Sequence, residues 1–265
     1  MSTVRKRWTR DELLVALNLY HKLTFGQLHS RQPAIAALAK RMGRGANSVA
    51  MKLNNLASLD PSLKLRGIRG LQGASSLDRE LWHEFHQHME ELAPASEDAL
   101  RNLFGAAETD EVEVVPHQGI IVKRQEPAGP TEVVTSVKVR RGQSYFRQAV
   151  LNNFGGRCGV TGLHIRDLLV ASHILPWRTH ADHRLNPRNG ICLSRLHDAA
   201  FDVGLITFDD DLRLRLSAEL RAALPQQTVR DNFANFEGVA LSIPTDALAP
   251  EISFLQVHRK EYFRK

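Results

Sequence analysis

Along the first third of the chain, apolar positions recur every three to four residues, the spacing of a buried helical stripe. The segment WTRDELLVALNLYHKL opens with Thr9 at an N-cap position and Glu12 three residues on, a capping-box pattern. Leu13, Leu14, Leu17 and Tyr20 or Leu23 then fall on one face. PAIAALAKRMG predicts a second helix, with Pro33 at its start and Gly43 as its stop. RGANSVAMKLNNLASL predicts a third, with Val49, Leu53 and Leu56 inward and Asn47 or Ser48 as its cap. SSLDRELWHEFHQHMEEL predicts a fourth, with Leu77, Leu81 and Phe85 on the inner side.

The pattern then changes twice. Residues 93–135 are acidic and rich in small residues, and read as a linker with short strands at 112–115 and 120–123. The alternative is a small hairpin packed on a neighbouring domain. From residue 137 helix and strand signals mix. GQSYFRQAVLNNFGG is a helix closed by Gly155 and Gly156, DLLVASHI and NGICLS are strands, and RLHDAAFDVG is a short helix ended by Gly204. GLITFDDDLRLRLS reads as two strands around an acidic turn, and EISFLQVHRKEYFRK as a basic helix. The expectation is an α+β chain. A helical, helix-turn-helix-like domain spans 1–92, an acidic linker 93–135 and a second domain 136–265.

Charge sharpens this division. Residues 1–92 carry 14 Lys/Arg against 8 Asp/Glu, residues 93–135 carry 3 against 8, and residues 136–265 carry 18 against 13. Two basic blocks flank an acidic connector, as binding to a polyanion would require, although an ordinary basic surface gives the same totals. The 265 residues suffice for two modest domains. No apolar run approaches the ~18 residues of a membrane span. The basic start MSTVRKRWTR has no apolar stretch behind it, so no signal peptide is expected. Two cysteines, Cys158 and Cys192, make no disulfide framework and fit a reducing cytoplasm.

Two short helices joined by MGRGANS fit a helix-turn-helix arrangement. The third helix is then expected to show Lys52, Asn54 and Asn55 to solvent, with Arg41 and Arg44 at its mouth. Asn reads adenine edges, and Arg or Lys grips phosphate or guanine. Arg66 and Arg69, in the loop LKLRGIRGLQGASS, are further candidates for phosphate or groove contacts. A plain helical bundle with a polar outer face is the competing reading.

Candidate chemistry lies in the last third. LLVASHILPW delivers His173 to a strand end just before Pro176. Asn189 sits in the loop before the next strand, and His197 at the start of the following helix. A strand pair with a helix folded across it would bring the three side chains to one cleft. The motifs ASHILPW, NPRNGICLS and LHDAAFDVGLITF, in this order, resemble the HNH nuclease family, which has a ββα-metal fold, and in particular its bacterial restriction-like subfamily. The resemblance covers residues 140–262 and includes the terminal FLQVHRKEYF.

The resemblance implies a metal-dependent DNA endonuclease in which His173 is the general base, His197 a metal ligand, and Asn189 the residue holding loop and base in place. It implies Mg²⁺ or Mn²⁺, and products with a 5′ phosphate and a 3′ hydroxyl. Phosphodiester hydrolysis needs a base to activate water, for which neutral imidazole is suited near pH 7. It also needs a cation to offset charge on the phosphate and the leaving oxygen.

Two departures from the family pattern matter. Many members carry Asp or His immediately before the base, as a metal ligand; here that position is Ser172. The metal is then held through water or by other carboxylates, for which Asp198 and Asp202 are candidates. Both also have ordinary readings, as a helix-terminus residue and as a tie for the turn before Gly204. Many members also carry two Cys-x-x-Cys pairs, whereas Thr161 follows Cys158 and Arg195 follows Cys192 at that spacing, so no structural zinc is expected. Arg178 and Arg188 flank the proposed cleft as phosphate contacts or as solvated charges.

The partner expected is double-stranded DNA, with modified DNA a candidate substrate. No membrane and no small-molecule cofactor are implied. Cutting two strands needs two sites or two encounters, which favours a homodimer. A non-catalytic DNA-binding regulator that retains the fold is the alternative, supported by Ser172. A helical protein-interaction module is another, distinguished by binding that survives high salt.

Overall fold

The computed structural model describes residues 7–124 and 137–265. The chain divides into two units, Met1–Tyr145 and Phe146–Lys265. No helix among the described residues is long and apolar enough to cross a membrane.

The N-terminal unit is built on α1 (Arg10–His21), α2 (Pro33–Met42) and α3 (Ala46–Ala57). The capping box of α1 forms as expected. Glu12 N donates to Thr9 Oγ1 at 3.2 Å, and Thr9 N donates to Glu12 Oε2 at 3.0 Å. Leu13, Leu17, Tyr20 and Leu23 are buried, while Leu14 stays half-exposed. Gly43 ends α2 in the left-handed region, at φ 62°, where a Cβ is disfavoured. The cap of α3 is Gly45 rather than Asn47 or Ser48, which lie inside the first turn. A short helix absent from the sequence reading, α4 (Pro61–Leu65), starts at Asp60.

The expected fourth helix is two. After α5 (Ser76–Gln87), His88 leaves helical geometry at φ −122°, ψ 43°, and α6 (Met89–Phe104) follows. Residues 93–124 therefore do not form a linker. α6 packs along α1, and β1 (Glu111–Val115) pairs antiparallel with β2 (Gly119–Lys123) against α2. The polar residues that suggested a linker are tied in: Asn18 Nδ2 donates to Ser96 Oγ at 2.8 Å, and the buried Lys22 pairs with the buried Glu97. Inside a fold, a matched counter-charge turns a residue that resembles linker into one that packs. The rest of the expected linker, 125–136, lies outside the described residues.

The division into units falls within α7 (Val137–Asn153). In the C-terminal unit, β3 (Leu169–His173) and β4 (Gly190–Ser194) form an antiparallel pair that sets His173 opposite Gly190. Gly190 is required by packing: a Cβ there would lie 2.3 Å from Val150 Cγ2 and 2.8 Å from Phe146 Cζ, both on α7. α8 (Arg195–Asp202) packs on β3 and β4. The strands β5 (Ile206–Phe208) and β6 (Leu214–Leu216) then pair, followed by α9 (Ala218–Ala222), α10 (Gln227–Asn232) and α11 (Ile252–Glu261). Gly204, at φ 74°, lets the end of α8 meet the C-terminal segment; a Cβ would fall 2.1 Å from the Tyr262 carbonyl oxygen.

Candidate active site

His173 ends β3 in a half-buried position. Its imidazole stacks on Phe146, with centroids 3.8 Å apart and planes 9° off parallel, and meets Trp177 edge-on. Nε2 lies 2.9 Å from the Arg184 carbonyl oxygen. A carbonyl only accepts, so Nε2 carries the proton and the Nδ1 lone pair is left without a partner among the described residues. Burial lowers the His173 pKa, against the opposing pull of that carbonyl, so the ring is neutral near pH 7. This is an oriented, neutral imidazole with one nitrogen available to take a proton.

Asn189 is fully buried and acts on the loop that follows β3. Its Oδ1 accepts from Leu175 N at 2.8 Å, and its Nδ2 donates to the carbonyls of Leu175 and His183 at 3.2 and 3.1 Å. The amide clamps both ends of the segment from which Arg184 presents its carbonyl to His173.

His197 has partners of its own. It is buried on α8, with Nε2 2.9 Å from the Asn232 carbonyl oxygen and Nδ1 2.9 Å from Ser194 Oγ. Nε2 must donate, so Nδ1 accepts from the serine hydroxyl, and no lone pair remains for a metal. Phe233 and Phe236 surround the ring, and burial lowers its pKa. His173 and His197 thus have different hydrogen-bond partners, the Arg184 carbonyl for one and the Asn232 carbonyl and Ser194 hydroxyl for the other.

Asp198 and Asp202, four apart on α8, share a face. The Ser172 hydroxyl favours the charged form of Asp198, yet burial outweighs it and raises the pKa. The exposed Asp202 is raised to about 6, first by desolvation against the protein body and then by the charge of Asp198. Ser172 Oγ is buried and makes no full hydrogen bond. The two carboxylates form no salt bridge among the described residues, although Arg195 favours the charged form of Asp198. They suit a hard cation such as Mg²⁺ or Mn²⁺, which takes one or two carboxylates and completes its shell with water and phosphate. Among the described residues no three His, Cys, Asp or Glu side chains converge on a metal position. Cys158 and Cys192 are both buried, and burial pushes the Cys192 thiol up to about 12.

Of the expected DNA contacts, Arg41, Arg66, Arg69 and Arg178 are exposed. Four of the others are engaged. Lys52 is buried, its ammonium held by Asp78 Oδ1 and Oδ2 at 2.8 and 2.7 Å, so it does not face solvent as expected. Asn54 Nδ2 donates to the carbonyls of Leu28 and Ala50 at 2.7 and 2.9 Å. Arg44 pairs with Glu12 at 2.6 Å and stacks on Trp8, and Arg188 pairs with Glu251 at 2.6 Å. Asn55 is half-exposed. Helical spacing put Lys52 on the outer side because it gives no sign that α5 would bring Asp78 to that face.

Sequence reasoning missed Phe146, Trp177 and the Arg184 carbonyl as the setting of His173. Trp177 lies within the motif beside the histidine. A backbone carbonyl has no signature in the sequence, and Phe146 looks like any core position of α7.

Residues 158–209 match the family model described as HNH endonuclease, HNH_2. The match spans β3, β4 and α8, and so Ser172, His173, Asn189, Asp198 and Asp202. It supports assigning this segment to the HNH family, and suggests nuclease-type function. No curated protein matches the chain.

Proposed function

We propose that this protein is a metal-dependent DNA endonuclease of restriction type, in which the N-terminal unit reads DNA and the C-terminal unit cuts it. The observation that carries the reading is His173: a neutral imidazole, oriented by a carbonyl on one nitrogen and open on the other, inside the segment that matches the HNH endonuclease family. In this reading, Nδ1 takes the proton of the attacking water. Phe146 and the Arg184 carbonyl hold the ring in plane, and the Asn189 amide fixes the loop that supplies that carbonyl. Asp198 and Asp202, with Ser172 beside them, would hold the cation. When bound, the ion offsets charge on the phosphate and on the leaving 3′ oxygen. Arg178 steadies the phosphate backbone near the cleft, while Arg41, Arg66 and Arg69 do so on the recognition unit. A homodimer would supply one site per strand.

Nicking of supercoiled plasmid with Mg²⁺ or Mn²⁺ tests the proposal, on DNA from hosts with different base modification, with His173→Ala beside the wild type. Metal-dependent cutting that the substitution abolishes is the expected result. A second reading, a DNA-binding regulator without catalysis, draws on the engaged ring of His197 and on the neutral Ser172. It predicts binding without cutting on every DNA tried.

A further inference from the structure

A cavity of about 800 Å³ opens beside α3 in the N-terminal unit. Trp8, Met51 and Leu71 form its apolar walls, and Ser48, Asn55 and Gln72 its neutral polar ones. Met51 and Leu71 are 52% and 47% exposed, so large apolar side chains face solvent where no core requires them.

Two of the three cations that line this cavity, Lys52 and Arg44, are answered from within. Lys52 borders it but gives its ammonium to both oxygens of Asp78. Arg44 borders it too, yet its guanidinium is spent on Glu12 and on the Arg7 carbonyl oxygen, the latter at 2.8 Å, while it backs the Trp8 indole 4.2 Å from the ring centre. Arg7, the third, is exposed, so charge is left at the rim while the walls are neutral. By contrast, the side chains of Ser48, Asn55 and Gln72 make no hydrogen bond to any described residue. The walls suit a neutral, flat group with hydrogen-bonding edges.

The loop over the cavity is fitted to this shape. Leu71 N donates to the Asn54 carbonyl at 3.1 Å. A Cβ on Gly70 would come within 2.4 Å of Ser58 N and 2.5 Å of the Asn54 carbonyl oxygen, so only glycine lets the loop lie on the helix end. At Gly73 a Cβ would meet Asn55 Oδ1 at 3.0 Å, in the space the amide faces.

We propose that this cavity receives a single nucleobase turned out of the DNA stack, packed against Trp8 and Met51 and read at its edge by the Asn55 amide. The inference rests on DNA being the substrate, and adds where the recognition unit inspects it. An asparagine amide pairs with two atoms of an adenine edge, and an aromatic platform accepts any base face. Turning a base out costs least where it is already unpaired or damaged.

The test uses full-length His173→Ala protein without divalent cation, and two duplexes that differ only in one unpaired 2-aminopurine nucleotide. The duplex with the unpaired base is expected to bind about tenfold tighter, with quenching of its fluorescence, as stacking on an aromatic ring brings. Trp8→Ala should bring that ratio to about one, while Trp8→Phe, which keeps a ring and guards against misfolding, should retain most of it. Equal binding of the two duplexes, or a preference that survives Trp8→Ala, overturns the inference while leaving DNA binding intact. Binding to neither duplex removes the DNA-binding reading itself, and this inference with it.

Discussion

Two sets of acidic side chains in this molecule have opposite fates. In the N-terminal unit, Asp78 meets Lys52 and Glu97 meets Lys22, each inside the protein and each with a dedicated cation. In the C-terminal unit, Asp198 and Asp202 face the same way from α8; burial raises both, and the charge of Asp198 raises Asp202 further. The first set is complete without help. In the second, Arg195 and the Ser172 hydroxyl favour the charged form of Asp198, yet neither carboxylate forms a salt bridge among the described residues and burial raises both.

The comparison can be broken at several points. Removing the base should have the largest effect: His173→Ala should lower cleavage by about 10²- to 10⁴-fold, read by plasmid nicking, with the melting temperature checked in parallel. Breaking a completed pair should cost stability rather than chemistry. Lys52→Met alone leaves Asp78 buried without its cation and should lose about 3–5 kcal/mol in urea unfolding, whereas Lys52→Met with Asp78→Leu should recover much of it. Equal losses in the single and double variants would show that packing, not charge, dominates there.

His197→Ala should cost about 1–3 kcal/mol, because the Asn232 carbonyl and the Ser194 hydroxyl lose a buried partner. Its stability loss should be the same with and without Mn²⁺ if the ring is structural.

A smaller effect comes from pH. Burial lowers His258 to about 4, where it stacks on Phe201 and meets the Thr207 hydroxyl. The unfolded chain then binds a proton that the folded chain refuses, so stability falls as pH drops from about 6.5 toward 4. His258→Gln should flatten that slope in denaturation series across the same range. The smallest effect, and the most telling in sign, belongs to Asp202→Asn. Without metal it should stabilise the protein by a few tenths of a kcal/mol, since it relieves repulsion at a solvent-screened position. A net loss of stability would mean that Asp202 already has a counter-charge.

Much of this was legible in the sequence. Apolar spacing and the Thr9–Glu12 pair located α1, Pro33 and Gly43 bracketed α2, and the Ser-His, Asn-Gly and Leu-His-Asp motifs marked β3, β4 and α8 in order. Polarity misled where the fold supplied partners from far along the chain. Glu97 and Ser96 look like linker until Lys22 and Asn18 meet them, and Lys52 looks exposed until Asp78 does. At the site, the motif identified the residue types but not their directions. Which of His197 and Asp198 turns toward β3 depends on the phase of α8, fixed by Ser194 at its cap and by Phe201 in the core. No linear spacing states that phase.

Titration of Mn²⁺ into the full-length protein, followed by calorimetry, tests the central claim most directly. One ion per chain is expected for the wild type and for a folded His197→Gln variant, and loss of that binding in Asp198→Asn with Asp202→Asn. Binding that disappears with His197 and survives the loss of both carboxylates would contradict it.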